Sequence, residues 1–265
     1  MKNEKNNIRD FLYDEPGPRA KRRIIFWTIV SLFPIAFLLY RMAVRFQENG
    51  QLAPQYWSFF LKYTTWRFIG QGLLGTLEAA LTAGAIAFVI GFLLMRGRIS
   101  RSGILRKISA ALIEFTRGVP TLLFIYFFFL VVPQTGLKLP SLLRIALPVA
   151  ISAVGVVAEV FRSGVNAVPK GQTEAALSLG MRNRHVFYKV VFPQAFRYVI
   201  PSLISEIVIV VKDTTFAYVI NFPDLMQNAK VLISNYDAML PVYLVVSVIY
   251  ILINFLINQL ARAVR

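Results

Sequence analysis

Charged residues set inside apolar sequence are the groups in this chain best placed to do chemistry. Glu159 and Arg162 close one uncharged run, and Glu206, Lys212 and Asp213 interrupt another, with Thr214 following directly. Ionisable groups at membrane depth are costly and face a cavity or a partner, so each is a candidate for function. Glu159 and Arg162 stand three residues apart, on one helical face, and this spacing predicts an ion pair. Structural pairing is the simpler reading of it, and gating the other. Lys212 and Asp213 are adjacent and therefore look to different sides. Glu206, six residues before Lys212, is a poor same-face partner. What is missing also limits the chemistry. The chain has no cysteine, and its one histidine, His185, lies among arginines, where it reads as a surface residue rather than a general base. A zinc site or a thiol nucleophile is therefore not expected. No GxxxxGK[ST] loop occurs, so the polypeptide itself is not expected to bind ATP.

Long apolar segments must position these charges. Of 265 residues, 57% are hydrophobic and only 16% charged, and the mean hydropathy is +0.60. Soluble domains run nearer ~45–50% apolar and ~25% charged. Six uncharged or nearly uncharged stretches, 24–40, 70–95, 110–132, 142–161, 198–220 and 238–261, are each near the ~20 residues that cross a bilayer. With both termini inside, the inner segments carry 21 Lys and Arg against 7 in the outer ones, the positive-inside bias. The formal charge of +16 therefore reads as cytoplasmic loops and contacts with anionic lipid, not as nucleic-acid binding. The expected class is all-α, a multi-pass membrane bundle. Residues 1–23, with Pro16-Gly17-Pro18, read as a solvated arm. The outer 41–68 segment carries eight aromatics, among them Tyr56, Trp57, Phe59, Phe60, Tyr63 and Trp66, and predicts an interfacial helix leading into the second span. Gly72, Gly75, Gly84 and Gly91 form a small-residue stripe suited to close helix packing.

Between the fourth and fifth stretches lies a long inner segment. Pro169 and Gly171 predict a break, Thr173 an N-cap, Glu174 a first-turn acid at the positive end of the macrodipole, and Gly180 a stop. The product is a helix of about two turns over 173–180, too short to persist unless it packs on something. Ala175, Ala176 and Gly180 have little side-chain bulk, so a partner surface can approach closely.

Glu174-Ala175-Ala176, then Gly180, then Phe192-Pro193-Gln194-Ala195 resembles the EAA signature of permease subunits of bacterial ATP-binding-cassette importers. Four further pieces resemble the polar amino-acid branch of that family. They are Phe115-Thr116-Arg117-Gly118-Val119-Pro120, Ala158-Glu159-Val160-Phe161-Arg162, Pro169-Lys170-Gly171-Gln172 and Lys212-Asp213-Thr214-Thr215. Val119, Phe192 and Val156-Val157 depart from the usual pattern, which weakens transfer of substrate contacts at those positions. The first span and its tail, through Tyr13-Asp14-Glu15-Pro16-Gly17-Pro18-Arg19-Ala20, resemble the amino-terminal extension of glutamate-importer permeases of actinobacterial type.

The resemblance implies a MetI-like type I permease fold: a core over 69–261, preceded by an extra helix and outer segment at 24–68 and followed by an inner end at 262–265. It implies a non-catalytic subunit with no cofactor of its own, ATP and magnesium being bound by a separate cytoplasmic ATPase pair. A second permease chain (a copy or a relative) and an extracytoplasmic amino-acid-binding protein complete the set of partners. Gly171, Thr173, Glu174, Ala175, Ala176 and Gly180 are the expected ATPase-coupling residues. Arg117, Glu159, Arg162, Glu206, Lys212, Asp213 and Thr214 are the candidates for the substrate path. The expected cargo is glutamate, then glutamine or aspartate, with Lys212 or Arg117 as the cation that offsets carboxylate desolvation. The competing reading is a secondary transporter driven by an ion gradient through Glu206, Lys212 and Asp213.

Overall fold

The computed structural model describes residues 17–263. The sequence expectations for 1–16 and for 264–265 fall outside the described residues. Every regular element among those described is helical. The described residues separate into two compact units, 17–55 and 56–263.

The first unit is dominated by α1, Pro18–Glu48, a helix of 31 residues that contains the whole 24–40 apolar run. Pro18 opens it, at a position where a missing N–H costs nothing. At ~1.5 Å per residue it is long enough to cross a bilayer.

The second unit begins with the aromatic segment. Residues 56–62 form short 3₁₀ turns rather than the interfacial helix that aromatic content suggested. Phe59 is 1% exposed and stacks on Tyr236, with centroids 4.3 Å apart. Thr65 Oγ1 and Trp66 Nε1 donate to the carbonyls of Phe59 and Phe60, both at 2.7 Å. These bonds hold the chain in tight turns ahead of α2.

Helix α2, Tyr63–Arg98, buries a stripe of Gly72, Thr76, Ala79, Ala80, Ala83, Ala87 and Gly91. Small side chains at three- and four-residue intervals bring neighbouring backbones close. A Cβ at Gly91 would meet Val157 Cγ1 at 2.7 Å, and one at Gly75 would meet the Pro223 carbonyl oxygen at 2.2 Å. Gly84 instead opens onto a cavity. Helix α5, Ser141–Ala167, packs against this stripe and is the most buried element, through Ile145, Ala146, Val149, Ala150, Val154, Ala158 and Phe161.

Between them the apolar stretch expected as a span over 110–132 is bent. Helix α3, Gly103–Gly118, and the run Thr121–Thr135 are bent by 96° at the Val119-Pro120 junction. Pro120 excludes helical geometry at the residue before it, and Val119 is extended at φ −98° and ψ 126°. The second leg starts as α4, Thr121–Tyr126, and ends in a π turn and a 3₁₀ turn.

After the inner segment, α6 (Lys170–Ser178) and the single turn α7 (Asn183–His185) lead through a π turn, Val186–Val191, into α8, Phe192–Asp213. A 3₁₀ turn, Thr214–Ile220, follows, then α9, Leu225–Tyr236, and α10, Met239–Ala263. Four described helices, α1, α2, α5 and α10, are long and apolar enough to cross a membrane, five with the bent pair. The remaining segment of the six expected is α8, which has span length but carries Arg197, Glu206, Lys212 and Asp213.

Outside the spans, α9 is fastened to α2. Leu225 N donates to Thr76 Oγ1 at 3.0 Å, and Asn228 Nδ2 to the Phe68 carbonyl at 2.7 Å. Asp224 caps α9 by accepting from Gln227 N at 2.8 Å, while its other carboxylate oxygen is buried without a hydrogen-bond partner. Burial pushes its carboxyl up to about 6, against the pull of backbone N–H groups of Gln227 and Met226. A raised acid is destabilised in its ionised form. The wild type therefore gains stability as pH falls through 6 toward the unfolded value near ~3.9, by about 2–3 kcal/mol for this group. Asp224→Asn keeps the cap and removes the charge. It is expected to be more stable than wild type at pH 7.5 and to lose this gain, as read by thermal unfolding in detergent at pH 4.5 and 7.5.

Candidate functional site

Two places in the larger unit gather the candidate residues: the short helix α6 and a polar cluster where α4, α5 and α8 meet.

Helix α6 begins at Lys170, with Pro169 as its N-cap, four residues before the expected cap at Thr173. Pro169 separates it from α5, but Gly171 is absorbed into its first turn, so Thr173 lies inside the helix. The C-terminal stop falls at Gly180, where φ is +78°. Gly180 N bonds the Leu177 carbonyl at 2.9 Å and Met181 N the Ala176 carbonyl at 3.2 Å. This pair of bonds is a Schellman closure, which needs the left-handed geometry that glycine takes without strain.

The alanines divide by face. Ala176 is 5% exposed and packs with Val168, Val186, Val191 and Ala195 of its own bundle. It anchors the helix inward and does not offer itself to a partner, as its small size suggested. Gly171, Glu174, Ala175 and Gly180 are exposed, and so are Leu177 and Leu179, the latter at 84%. Leu179 was missed in the sequence. Its signal was an aliphatic residue at the C-cap just before the stop glycine, a place where apolar contact within the helix is usual.

The polar cluster sits at the bend. Pro120 caps α4, so Thr121 is its first residue, and Asp213 is the last residue of α8. Thr121 Oγ1 donates to Asp213 Oδ2 at 2.8 Å and lies 2.8 Å from Ser152 Oγ on α5. One hydroxyl has one proton, so with Thr121 donating to the carboxylate, Ser152 donates to Thr121. The carboxylate also faces the positive end of α4. Asp213 is half-buried. Asp213 was among the sequence candidates, whereas Thr121 and Ser152 were not. A hydroxyl directly after Pro120 was the available signal for the first, and no local signal marked the second.

The other candidates lie apart from this cluster. Arg162 holds Glu159 through Nε at 2.9 Å and Nη2 at 2.5 Å, the pair the spacing predicted. Along α5, Glu159 lies about two turns and Arg162 about three turns from Ser152. Arg98 and Arg117 act electrostatically on the same carboxylate, and Arg117 Cγ packs against Gly155. Thr214 is fully buried and donates to the Val211 carbonyl at 2.8 Å, so it does not join Asp213. Thr215 Oγ1 bonds the Tyr250 hydroxyl at 3.2 Å. Lys212 is exposed, and among the described residues it forms no ion pair with Glu206. Glu206 lies in the wall of an apolar cavity of about 380 Å³ between α2 and α8, with Leu81, Gly84, Phe88 and Ile204. Two turns apart, Glu206 and Asp213 share a face of α8.

The profile of the family described as "binding-protein-dependent transport system inner membrane component" matches residues 85–265, and the chain belongs to that family. It is a multi-pass, non-catalytic membrane subunit of an amino-acid ABC importer.

Among its relatives is the glutamate transport system permease protein GluD of Corynebacterium glutamicum, 36% identical over 82% of this chain and 81% of that protein. Another is the probable glutamine ABC transporter permease protein GlnP of Bacillus subtilis, 30% identical over 74% of this chain and 91% of that one. A solved amino acid ABC transporter matches with a TM-score of 0.71 at 28% identity, over 77% of this chain and 94% of its counterpart. The inward-facing MetNI methionine transporter shares the fold, at a TM-score of 0.60 and 18% identity over 77% and 99% of the two chains. Membership of the type I importer family implies an ATPase, a second permease chain and a binding protein as partners. It also sets aside the ion-gradient reading.

Proposed function

We propose that this chain forms half of the translocation path for a polar amino acid, glutamate before glutamine or aspartate, and is driven by an ATPase dimer that receives α6 in a surface groove. The observation that carries the coupling part is the division of α6 into two faces: Ala176 packs inward, while Ala175, Leu177 and Leu179 lie open next to the Gly180 stop. Leu177 and Leu179 together with Ala175 form a small apolar patch, the kind of surface that a protein partner covers. Closing the ATPase dimer then moves α6, provided its contacts differ between the two states.

In the path, Asp213 Oδ1 accepts the substrate ammonium while Thr121 and Ser152 hold the carboxylate in place. Lys212 and Arg117 remain the candidates to offset substrate carboxylates. Glutamate is favoured by the Corynebacterium relative, and glutamine is the second reading through the Bacillus one. Proteoliposomes containing the assembled importer distinguish them. Radiolabelled glutamate uptake is expected to be competed by unlabelled glutamate at about tenfold lower concentration than by glutamine, a difference of ~1.4 kcal/mol. The reverse order assigns glutamine.

A further inference from the structure

The inner end of α2 touches the segment that follows α6. The Arg96 guanidinium carbon lies 4.0 Å from the Phe187 ring centroid and 5.5 Å from that of Tyr188. Phe187 is buried, and Tyr188 meets it edge-on at 5.0 Å. Both rings belong to the π turn Val186–Val191, a rare geometry that recurs at functional positions.

That turn is tied on both sides. Val186 and Val191 pack with Ala176 of α6, so a displacement of α6 carries the turn with it. On its other side Phe187 stacks on Phe192, centroids 5.8 Å apart, and Phe192 meets Phe92 of α2 at 5.0 Å. Phe161 of α5 joins the same rings, 5.8 Å from Phe92. Rings in contact transmit displacement because a close-packed interior has two arrangements rather than a continuum. Arg96 closes this path at the inner surface, where the C-terminal end of α2 also favours a cation. A guanidinium suits the place, since its plane lies flat on a ring and a lysine ammonium cannot stack that way.

We propose that Arg96 is a positioning residue of the transport cycle: its stack on Phe187 makes α2 follow α6, so that ATPase closure moves the α2 and α5 walls of the path together with α8. The proposal rests on the reading of α6 as the ATPase-docking helix.

The test uses the complete importer in proteoliposomes, measuring ATP hydrolysed and amino acid taken up in the same preparation. Arg96→Met and Phe187→Leu are each expected to lower uptake per ATP about tenfold while stimulated hydrolysis stays within about twofold of wild type. The double variant is expected to be no worse than either single, because one contact is lost in all three. Arg96→Lys is expected to recover part of the ratio through its charge. A structural strap alone predicts a different result: less assembled protein, but a wild-type ratio for what assembles. That unchanged ratio in Arg96→Met overturns the proposal. Leu179→Asp separates this from the reading beneath it. If Leu179→Asp releases the ATPase while Arg96→Met keeps the wild-type ratio, only the Arg96 proposal fails. If Leu179→Asp leaves the ATPase bound, the docking reading fails and the proposal falls with it.

Discussion

Leu179→Asp is expected to release the ATPase from the purified complex and to reduce ATP-driven uptake by about a hundredfold or more. The side chain is 84% exposed at the end of α6, so the substitution leaves the fold of this chain untouched. In the docked state the same aspartate would be buried against a partner without a counter-charge, a loss of about 3–5 kcal/mol. A loss of ~2.7 kcal/mol already corresponds to a hundredfold in association. Gel filtration of the detergent-solubilised complex reads the dissociation directly, and thermal unfolding of the permease confirms an unchanged chain. Ala176→Asp is the informative contrast. Ala176 faces Val186, Val191 and Ala195, so that variant is expected to unfold at lower temperature as well as to lose uptake.

Asp213→Asn is expected to lower kcat/KM for uptake about a hundredfold with ATPase association unchanged. An asparagine still accepts from Thr121 at the geometry of the 2.8 Å bond, so the cluster keeps its shape. What disappears is the charge that meets the substrate ammonium, and charge-assisted bonds in a desolvated site are worth about 2–5 kcal/mol. Thr121→Val removes the bond that orients the carboxylate and is expected to cost about tenfold. Ser152→Ala, one step further along the same relay, is expected to cost less. Uptake kinetics in proteoliposomes with ATP held constant measure all three. Equal losses in Asp213→Asn and Ser152→Ala would point to packing instead of charge.

Much of this was readable from residue order, and the failures share a cause. Apolar run length gave the spans, and the small-residue stripe on α2 predicted close packing, seen where Gly75 and Gly91 leave room for Pro223 and Val157. The Glu159–Arg162 pair followed from a three-residue spacing. Pro120 permits a kink at this place, but the 96° size of the bend was not legible, because hydropathy sums over a bend without registering it. At α6, the glycine stop was legible because φ near +80° is a local requirement, while the start was misplaced because Pro169 outcompeted Thr173 as the cap. Which alanine faces inward depends on contact with residues 186–195 and has no local signature. Thr121 and Ser152 meet Asp213 across 92 residues of chain for one and through a shared hydroxyl for the other, pairings set only by the tertiary fold. At 56–62 the helix expected from aromatic content gives way to 3₁₀ turns, and Phe59 finds Tyr236 of α9, a contact with no local signature.

The chain contains no cysteine, so one introduced thiol is unique in this subunit. Ala175→Cys places it on the open face of α6, and a short bifunctional cross-linker applied to the transport-competent complex reports what lies against it. The account predicts a covalent product between this chain and the ATPase subunit, formed in both the resting and the ATP-bound states. A fully active complex that yields no such product in any nucleotide state would contradict it.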